Sequence, residues 1–352
     1  MSRDQSDQRS SDQRTDVSRR DFLETGSWAL GSAAIGGVGA MGFATSNEVS
    51  AAEPAPLSAS DDLGSIPRKT LGRTGEKVSI MGLGTSPIGR GPQTIEECVS
   101  VFSEAIDRGI NYIDTARRYK KSEEALGRVL KTRRDKVFLV TKCLSDTRKE
   151  AQDSFETSLR HLGVDHVDLL HLHSTGNRDI DVVLGEGGAW EYFLEMKKQG
   201  KARFLGITGH SRPQLFLRML ATDQVDVMMV AMNFIDRYIY GFEEKVVPTA
   251  IEHKTGIMAM KVFGGPRGGF DRTKVRLPSQ LDPIHLQIAV RYALGLEGVT
   301  GVVLGVQSQE ELRQDIRYVL NAPPLSDKEN EALDRHGKRL ANSWGPRFGP
   351  IS

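Results

Sequence analysis

From Val78 onward, short apolar runs alternate with longer amphipathic stretches at intervals of roughly 25 to 45 residues. The runs predict strands at 78–83, 110–113, 137–140, 167–170, 204–207, 227–230, 257–260 and 302–304. Between and after them, helical periodicity predicts helices at 94–108, 122–130, 151–161, 189–199, 213–220, 243–252, 283–294 and 309–319. Thr94 and Glu97 have capping-box spacing, and Gly109, Gly163 and Gly200 stand where left-handed C-caps are needed. Strand and helix in strict alternation favour parallel strands joined by crossovers. Eight such units predict an α/β fold, a closed (β/α)8 TIM barrel preceded by a short β-hairpin near 69–78, with an open α/β sheet as the nearest rival. Helix boundaries are least defined over 241–254. Two runs, 175–188 and 263–281, interrupt the rhythm after strands, so in a barrel they overhang the strands' C-terminal face.

The region before the rhythm differs in kind. Arg19 and Arg20 stand in Ser18-Arg19-Arg20-Asp21-Phe22-Leu23, and no charged residue occurs from Thr25 to Asn47. Twin arginines before a Gly/Ala-rich apolar stretch resemble the twin-arginine export signal, whose machinery moves folded proteins. The stretch is long enough to span a bilayer, but its Gly, Ser and Thr content makes it a weak anchor, and no stable anchor is expected after cleavage near Ala51 or Ala52. The expected organisation is therefore signal and cleavage region at 1–52, linker at 53–66, barrel at 67–325, and a C-terminal helix and tail at 326–352. The expected location is periplasmic or otherwise exported, with uncut retention or a cytoplasmic enzyme as alternatives. Formal charge is +1, and no basic stripe interleaved with aromatics occurs, which disfavours nucleic acid as a partner. With only Cys98 and Cys143, the chain has no disulfide framework and too few thiols for a four-cysteine metal site; no metal is expected.

Several polar residues fall at predicted strand ends: Asp114 ends Tyr112-Ile113-Asp114, Lys142 ends Val140-Thr141-Lys142, and His173 follows His171-Leu172. A barrel gathers such positions on one rim, and Tyr119 lies on the loop leading over it. A phenol near pKa 10 is a poor acid at neutral pH; a nearby ammonium favours phenolate, and a carboxylate can hold that ammonium. Tyr119 is thus the expected proton donor to an oxygen gaining charge as hydride reaches its carbon. Lys142 and Asp114 support it, and His173 orients a carbonyl or takes part in proton transfer. Singly, each residue also fits a turn cap, a packing ring or a surface ion pair.

At this point the chain resembles the aldo/keto reductases. Leu71-Gly72-Arg73-Thr74-Gly75-Glu76-Lys77-Val78-Ser79 followed by Gly82-Leu83-Gly84-Thr85 is similar to that family's hairpin and first barrel strand, and the run Leu162 to His173 is similar to its fourth-strand motif. The resemblance runs from about Pro67 through Tyr318 and selects His173 rather than His171. It implies reduction of a small aldehyde or ketone by NADPH, less often NADH, in a monomeric barrel or an association of barrels, with monomer the expectation here. It places the cofactor near Gly84, Thr85, Asp114, Thr208, Gly305 and Ser308. The helix opening after Gly305-Val306-Gln307-Ser308 has its own logic, since its free amides can receive phosphate charge.

Departures from the family's pattern shape the expectation further. Thr208-Gly209-His210 stands where Ser-Asn is common, and Met229 stands where Gln is common, so two side-chain bonds to the nicotinamide carboxamide are missing. A lost buried bond costs about 1–3 kcal/mol unless another group, His210 or Asn233, replaces it. Met260 or Lys261 occupies the place of an aromatic plate. Glu311 takes the place of the basic partner of the NADPH phosphate, where a carboxylate repels phosphate and can accept a ribose hydroxyl; NADH becomes plausible, although Arg313 or Arg317 could reach back. The altered clamp also keeps open a nucleotide-binding regulatory barrel without turnover. Phe263, Phe270, Trp190 and Tyr192 flank the two interruptions and could line a pocket, or pack.

Overall fold

The computed structural model describes residues 65–267 and 279–352. Arg19, Arg20, the linker up to residue 64, Phe270, and the basic residues Arg272, Lys274 and Arg276 lie outside the described residues. β1 (Arg68–Thr70) and β2 (Lys77–Ser79) pair antiparallel, with Lys69 opposite Val78. Eight parallel strands follow: β3 (Met81–Gly84), β4 (Tyr112–Asp114), β5 (Phe138–Cys143), β6 (Val167–Leu172), β7 (Ala202–Gly209), β8 (Val227–Ala231), β9 (Gly256–Met260) and β10 (Val299–Gly305). β10 pairs with β3, Leu304 beside Leu83, and closes the barrel. The expected hairpin and closed barrel are both present.

The run 78–83 is two elements rather than one. Val78 belongs to the hairpin and Met81 to the barrel wall; between them the Ile80 amide donates to the Pro67 carbonyl, and the Ile80 carbonyl accepts from Val302. The expected helix at 243–252 is likewise divided into Phe242–Lys245 and Val247–Glu252. Pro248 has no amide proton to offer the Glu244 carbonyl, so the helical ladder cannot run through it. The expected helix at 283–294 begins as the tighter turn Pro283–His285 before Leu286–Gly295.

Helix ends follow the local chemistry. Thr94 and Glu97 form the reciprocal cap, with the Glu97 amide donating to Thr94 Oγ1 at 3.1 Å and the Thr94 amide to Glu97 Oε2 at 2.6 Å. Gly163 closes Arg148–Leu162 at φ 64°, a left-handed conformation that would strain a side chain.

Two-residue periodicity divides the core. Tyr112, Phe138, Val140, Leu169, Met229, Met258, Met260 and Val303 point inward and pack with Leu71 and Val78 of the hairpin, forming an interior cluster. Tyr112 stacks on Phe138 at 5.6 Å and Phe138 on Phe204 at 6.2 Å. A larger cluster fills the space between the barrel wall and the helices. The same alternation, carried two residues beyond Tyr112 and Val140, turns Asp114 and Lys142 inward, above an apolar floor. Trp190 and Tyr192 are buried in helix packing, the Trp190 indole donating to Gln224 Oε1 at 2.8 Å, so they line no pocket. Cys98 and Cys143 are buried free thiols, and burial pushes them up to about 11 and about 12. The helix Asp327–Trp344 leads into an ordered tail. Among the described residues, no helix is long and apolar enough to cross a membrane, and no group of three His, Cys, Asp or Glu could hold a metal ion.

Candidate active site

Asp114, Lys142, Tyr119 and His173 meet at the C-terminal rim. Lys142, 1% exposed at its side chain, places Nζ 2.6 Å from Asp114 Oδ1 and donates to the Thr115 carbonyl at 2.8 Å. The same ammonium lies 4.9 Å from the Tyr119 ring centre, and Tyr119 meets the His173 ring edge-on at 5.8 Å. His173 is aligned by its amide, which donates to the Cys143 carbonyl at 2.8 Å. His171, two residues earlier, is fully buried one layer deeper against Gly206, where an added Cβ would come 2.4 Å from His171 Nδ1.

A chain of hydroxyls supports the tyrosine loop. Ser122 Oγ donates to Thr85 Oγ1 at 2.6 Å, Thr85 Oγ1 donates to the Asp114 carbonyl at 2.9 Å, and Thr115 Oγ1 lies 2.9 Å from Ser122 Oγ. Gly89 lets this loop approach, because a Cβ there would lie 2.7 Å from the Tyr119 carbonyl. Lys120, Ser174, Arg212 and Lys261 have φ between 50° and 58°, each within two residues of Tyr119, His173, His210 or Met260, while Asp223 and Lys254, ahead of β8 and β9, share that conformation away from the rim. Non-glycine residues hold that conformation only where their surroundings over-determine it, a pattern frequent at functional sites.

Burial dominates the electrostatics. It raises the Asp114 carboxyl, with Lys142 opposing, and it works against the Lys142 ammonium, where Asp114 and then Tyr119 outweigh it and leave the lysine above its ordinary value. The Tyr119 phenol is also raised by burial, more than Lys142 pulls it down. The expected lowering by the ammonium is therefore present as one contribution, but the net direction is up. His173 is held well below the ordinary imidazole value by burial, then by Lys142 and further cations, so it is neutral near pH 7. His210 is lowered well for the same first reason, then by Lys261, Lys142 and Arg347.

Around this cluster, the expected cofactor residues separate into groups. Gly84 and Gly305 face each other at the paired ends of β3 and β10, Gly84 buried and Gly305 exposed at the rim. Thr85 commits its hydroxyl to Asp114, and Thr208 is buried with its hydroxyl 3.9 Å from Met260 Sδ. Ser308 caps the helix Gln309–Leu320 by accepting from the Glu311 amide at 3.2 Å. Glu311 Oε2 in turn accepts from the Gln307 amide at 2.9 Å, so its carboxylate takes one of the donors that the sequence offers to phosphate. Arg313 does not reach back to the rim; it pairs with Glu104 at 2.6 Å.

Asn233 is not placed as a free replacement clamp. Its Nδ2 donates to Asp236 Oδ2 at 2.5 Å and to the Lys261 carbonyl at 3.1 Å, while Oδ1 accepts from the amides of Ile235 and Asp236. Its carboxamide is thus spent on its own loop. Met229 is a member of the apolar barrel interior, and Met260 is also drawn into it, which leaves Lys261 as the residue that faces the rim after β9. Lys261 acts electrostatically on Asp114, His173 and His210. His210 Nε2 and His173 Nδ1 are buried without a protein hydrogen-bond partner, two unmet polar atoms of the kind a carboxamide and a carbonyl could meet. Sequence reading missed Asp236, Arg347 and Phe348, which close one side of this site; the tail after Trp344 has no periodicity that could have signalled them.

A buried ammonium–carboxylate pair, a phenol and a neutral imidazole on the rim of a closed barrel define a nucleotide-dependent carbonyl oxidoreductase. The sequence signature of the aldo/keto reductase family matches residues 80–284. A methylglyoxal reductase of Yersinia pestis is 34% identical over 205 residues, which span 57% of this chain and 71% of that protein. An L-galactose dehydrogenase of Arabidopsis thaliana is 35% identical over 157 residues, 41% of this chain and about half (49%) of that relative's length. In fold, an aldo-keto reductase of Bacillus halodurans in its holo form superposes with a TM-score of 0.62 at 23% identity, covering 77% of this chain and 96% of that one. The chain belongs to the aldo/keto reductase family and is an NAD(P)H-dependent oxidoreductase.

Proposed function

We propose that this chain reduces a small aldehyde or ketone to the alcohol, with Tyr119 as proton donor, Lys142 and Asp114 as its electrostatic support and His173 as the group that orients the carbonyl. The observation that supports this best is the Lys142 ammonium, 2.6 Å from Asp114 and 4.9 Å from the Tyr119 ring, in a site from which most water is excluded. A nicotinamide cofactor, when bound, would supply hydride to the carbonyl carbon. As negative charge grows on the carbonyl oxygen, the Tyr119 hydroxyl delivers its proton there, and Lys142 stabilises the phenolate left behind. His173, neutral, donates one hydrogen bond to the same oxygen and fixes its direction. Asp114 holds Lys142 in place throughout.

The exposed Gly305 and the helix opening at Ser308 fit a dinucleotide laid across the rim, with His210 toward the carboxamide. NADPH is the first reading; Glu311, accepting from the Gln307 amide beside that helix, is the reason NADH stays with it. The relatives named above act, by their names, on methylglyoxal and L-galactose, so a panel of short polar aldehydes and aldoses is the place to begin. Nicotinamide absorbance followed with purified protein, both cofactors and this panel tests the reading. Carbonyl-dependent loss of absorbance is expected; tight nucleotide binding without turnover on any carbonyl or quinone would favour the regulatory barrel.

Export belongs to the same proposal. Residues 1–52 are read as a twin-arginine signal and cleavage region, and 53–66 as linker, on the strength of Arg19-Arg20 with Phe22-Leu23. A barrel whose first and last strands must pair before it has a cofactor cleft suits a route that moves folded proteins. Replacing both Arg19 and Arg20 by Lys should shift the protein from the exported to the cytoplasmic fraction with its N-terminus intact. An unchanged distribution, uncut and cytoplasmic in both cases, would leave an ordinary intracellular reductase.

A further inference from the structure

The tail after the last helix does not trail away from the barrel; it returns over the rim and ends on His210. Arg347 makes a two-pronged ion pair with Asp236, Nη1 to Oδ1 at 2.8 Å and Nη2 to Oδ2 at 2.7 Å, and Asp236 is 1% exposed. The same guanidinium donates to the Gly264 carbonyl at 3.1 Å and lies between two rings, 4.0 Å from Trp344 and 4.3 Å from Phe348. Phe348 is thereby set on the His210 imidazole, ring centres 5.1 Å apart. Its backbone is pinned as well: the Phe348 amide donates to Tyr240 Oη at 2.8 Å, Tyr240 Oη donates to the Gly349 carbonyl at 3.2 Å, and the Arg212 amide donates to the Pro350 carbonyl at 3.3 Å. Asn233 belongs to this assembly through its bonds to Asp236.

A two-pronged arginine–carboxylate pair is directional, and a buried one is expensive unless its geometry is good, so it fixes the segment that carries it. The contact it fixes is the one on His210, which follows β7 directly and keeps a buried Nε2 with no protein partner. We propose that residues 345–350 form a strap that positions His210, the Arg347–Asp236 pair seating Phe348 on the imidazole so that Nε2 meets the nicotinamide carboxamide. His210 thereby takes over a bond for which this chain has neither the asparagine nor the glutamine. The inference rests on the nicotinamide-dependent reading above. Burial first, and then the cations at Lys261, Lys142 and Arg347, hold this imidazole well below its ordinary value and keep it neutral near pH 7, so one ring nitrogen donates and the other accepts. Phe348 and Arg347 are positioning residues: they act on the cofactor only through His210.

Fluorescence titration of the full chain with NADPH and NADH separates this inference from the reading beneath it. If the unaltered protein binds neither nucleotide, the nicotinamide reading itself fails. If it binds, Phe348→Ala should weaken the Kd roughly tenfold, the scale of one buried hydrogen bond, with Arg347→Gln similar and Arg347→Lys intermediate. His210→Ala should weaken it comparably, and in the His210→Ala background removal of Phe348 should cost nothing more. The KM for the carbonyl should move less than that for the cofactor. An unchanged Kd in a folded Phe348→Ala protein, or full additivity of the two substitutions, would overturn the strap. Should Phe348→Ala fail to fold, Phe348→Leu, which keeps the apolar volume and loses the ring face, poses the same question.

Discussion

Tyr119→Phe should abolish all but a trace of carbonyl reduction, lowering kcat by about two to four powers of ten, while nucleotide Kd and melting temperature hardly move. The substitution removes one oxygen from a side chain whose ring packing against His173 and Lys142 is retained, so little besides proton delivery is lost. The pH profile carries the more discriminating information. Burial raises the Tyr119 phenol above its ordinary value of about 10, so the donor keeps its proton throughout the neutral range. His173 titrates well below its ordinary value of about 6.5 and stays neutral over the same range. Reduction by the unaltered protein should therefore show no break near neutrality, and should fall only as the phenol loses its proton at alkaline pH. A fall in kcat on raising the pH through about 6.5 would instead point to an imidazolium donor, and would set His173 in the place proposed for Tyr119.

Why the barrel was legible and parts of the site were not comes down to the range of the forces involved. Strand alternation and helix periodicity are local, so the eight strands are placed from residues such as Val140, Leu169 and Val227, and the caps from Thr94 and Gly163. The elements that differ depend on partners elsewhere: Ile80 divides strand from strand because Pro67 and Val302 claim its backbone, and Pro248 divides a helix that apolar spacing alone would continue. The tetrad could be gathered because each member ends or follows a strand, and barrel closure brings strand ends together. Asn233 shows the opposite case. Its type suits a carboxamide clamp, and only the fold shows that both ends of its amide are bound to Asp236, Ile235 and Lys261. The direction of the Tyr119 shift was likewise a matter of magnitude: the ammonium was visible in the sequence, but the burial that outweighs it was not.

Lys142→Met should be the costliest single change to stability in the site, about 3–5 kcal/mol at neutral pH, because it leaves Asp114 buried without its counter-ion. Methionine fits the stem of the lysine, so packing is largely kept and the penalty is mainly that of a stranded carboxylate. That penalty has a definite pH dependence. Burial already raises the Asp114 carboxyl with Lys142 opposing; without Lys142 it rises further, while in the unfolded chain it stays near its ordinary value of about 4. Between those two values the folded variant binds a proton that the unfolded chain does not, so its stability increases as pH falls, by up to about 1.4 kcal/mol per unit. The gap between variant and unaltered protein, measured by urea unfolding, should thus narrow from about pH 8 to about pH 5. Adding Asp114→Asn removes the stranded charge and should recover much of the loss at neutral pH, leaving a folded protein without reductase activity. A gap independent of pH, unrelieved by Asp114→Asn, would assign the loss to packing and remove the ion pair from its place as the electrostatic centre of the site.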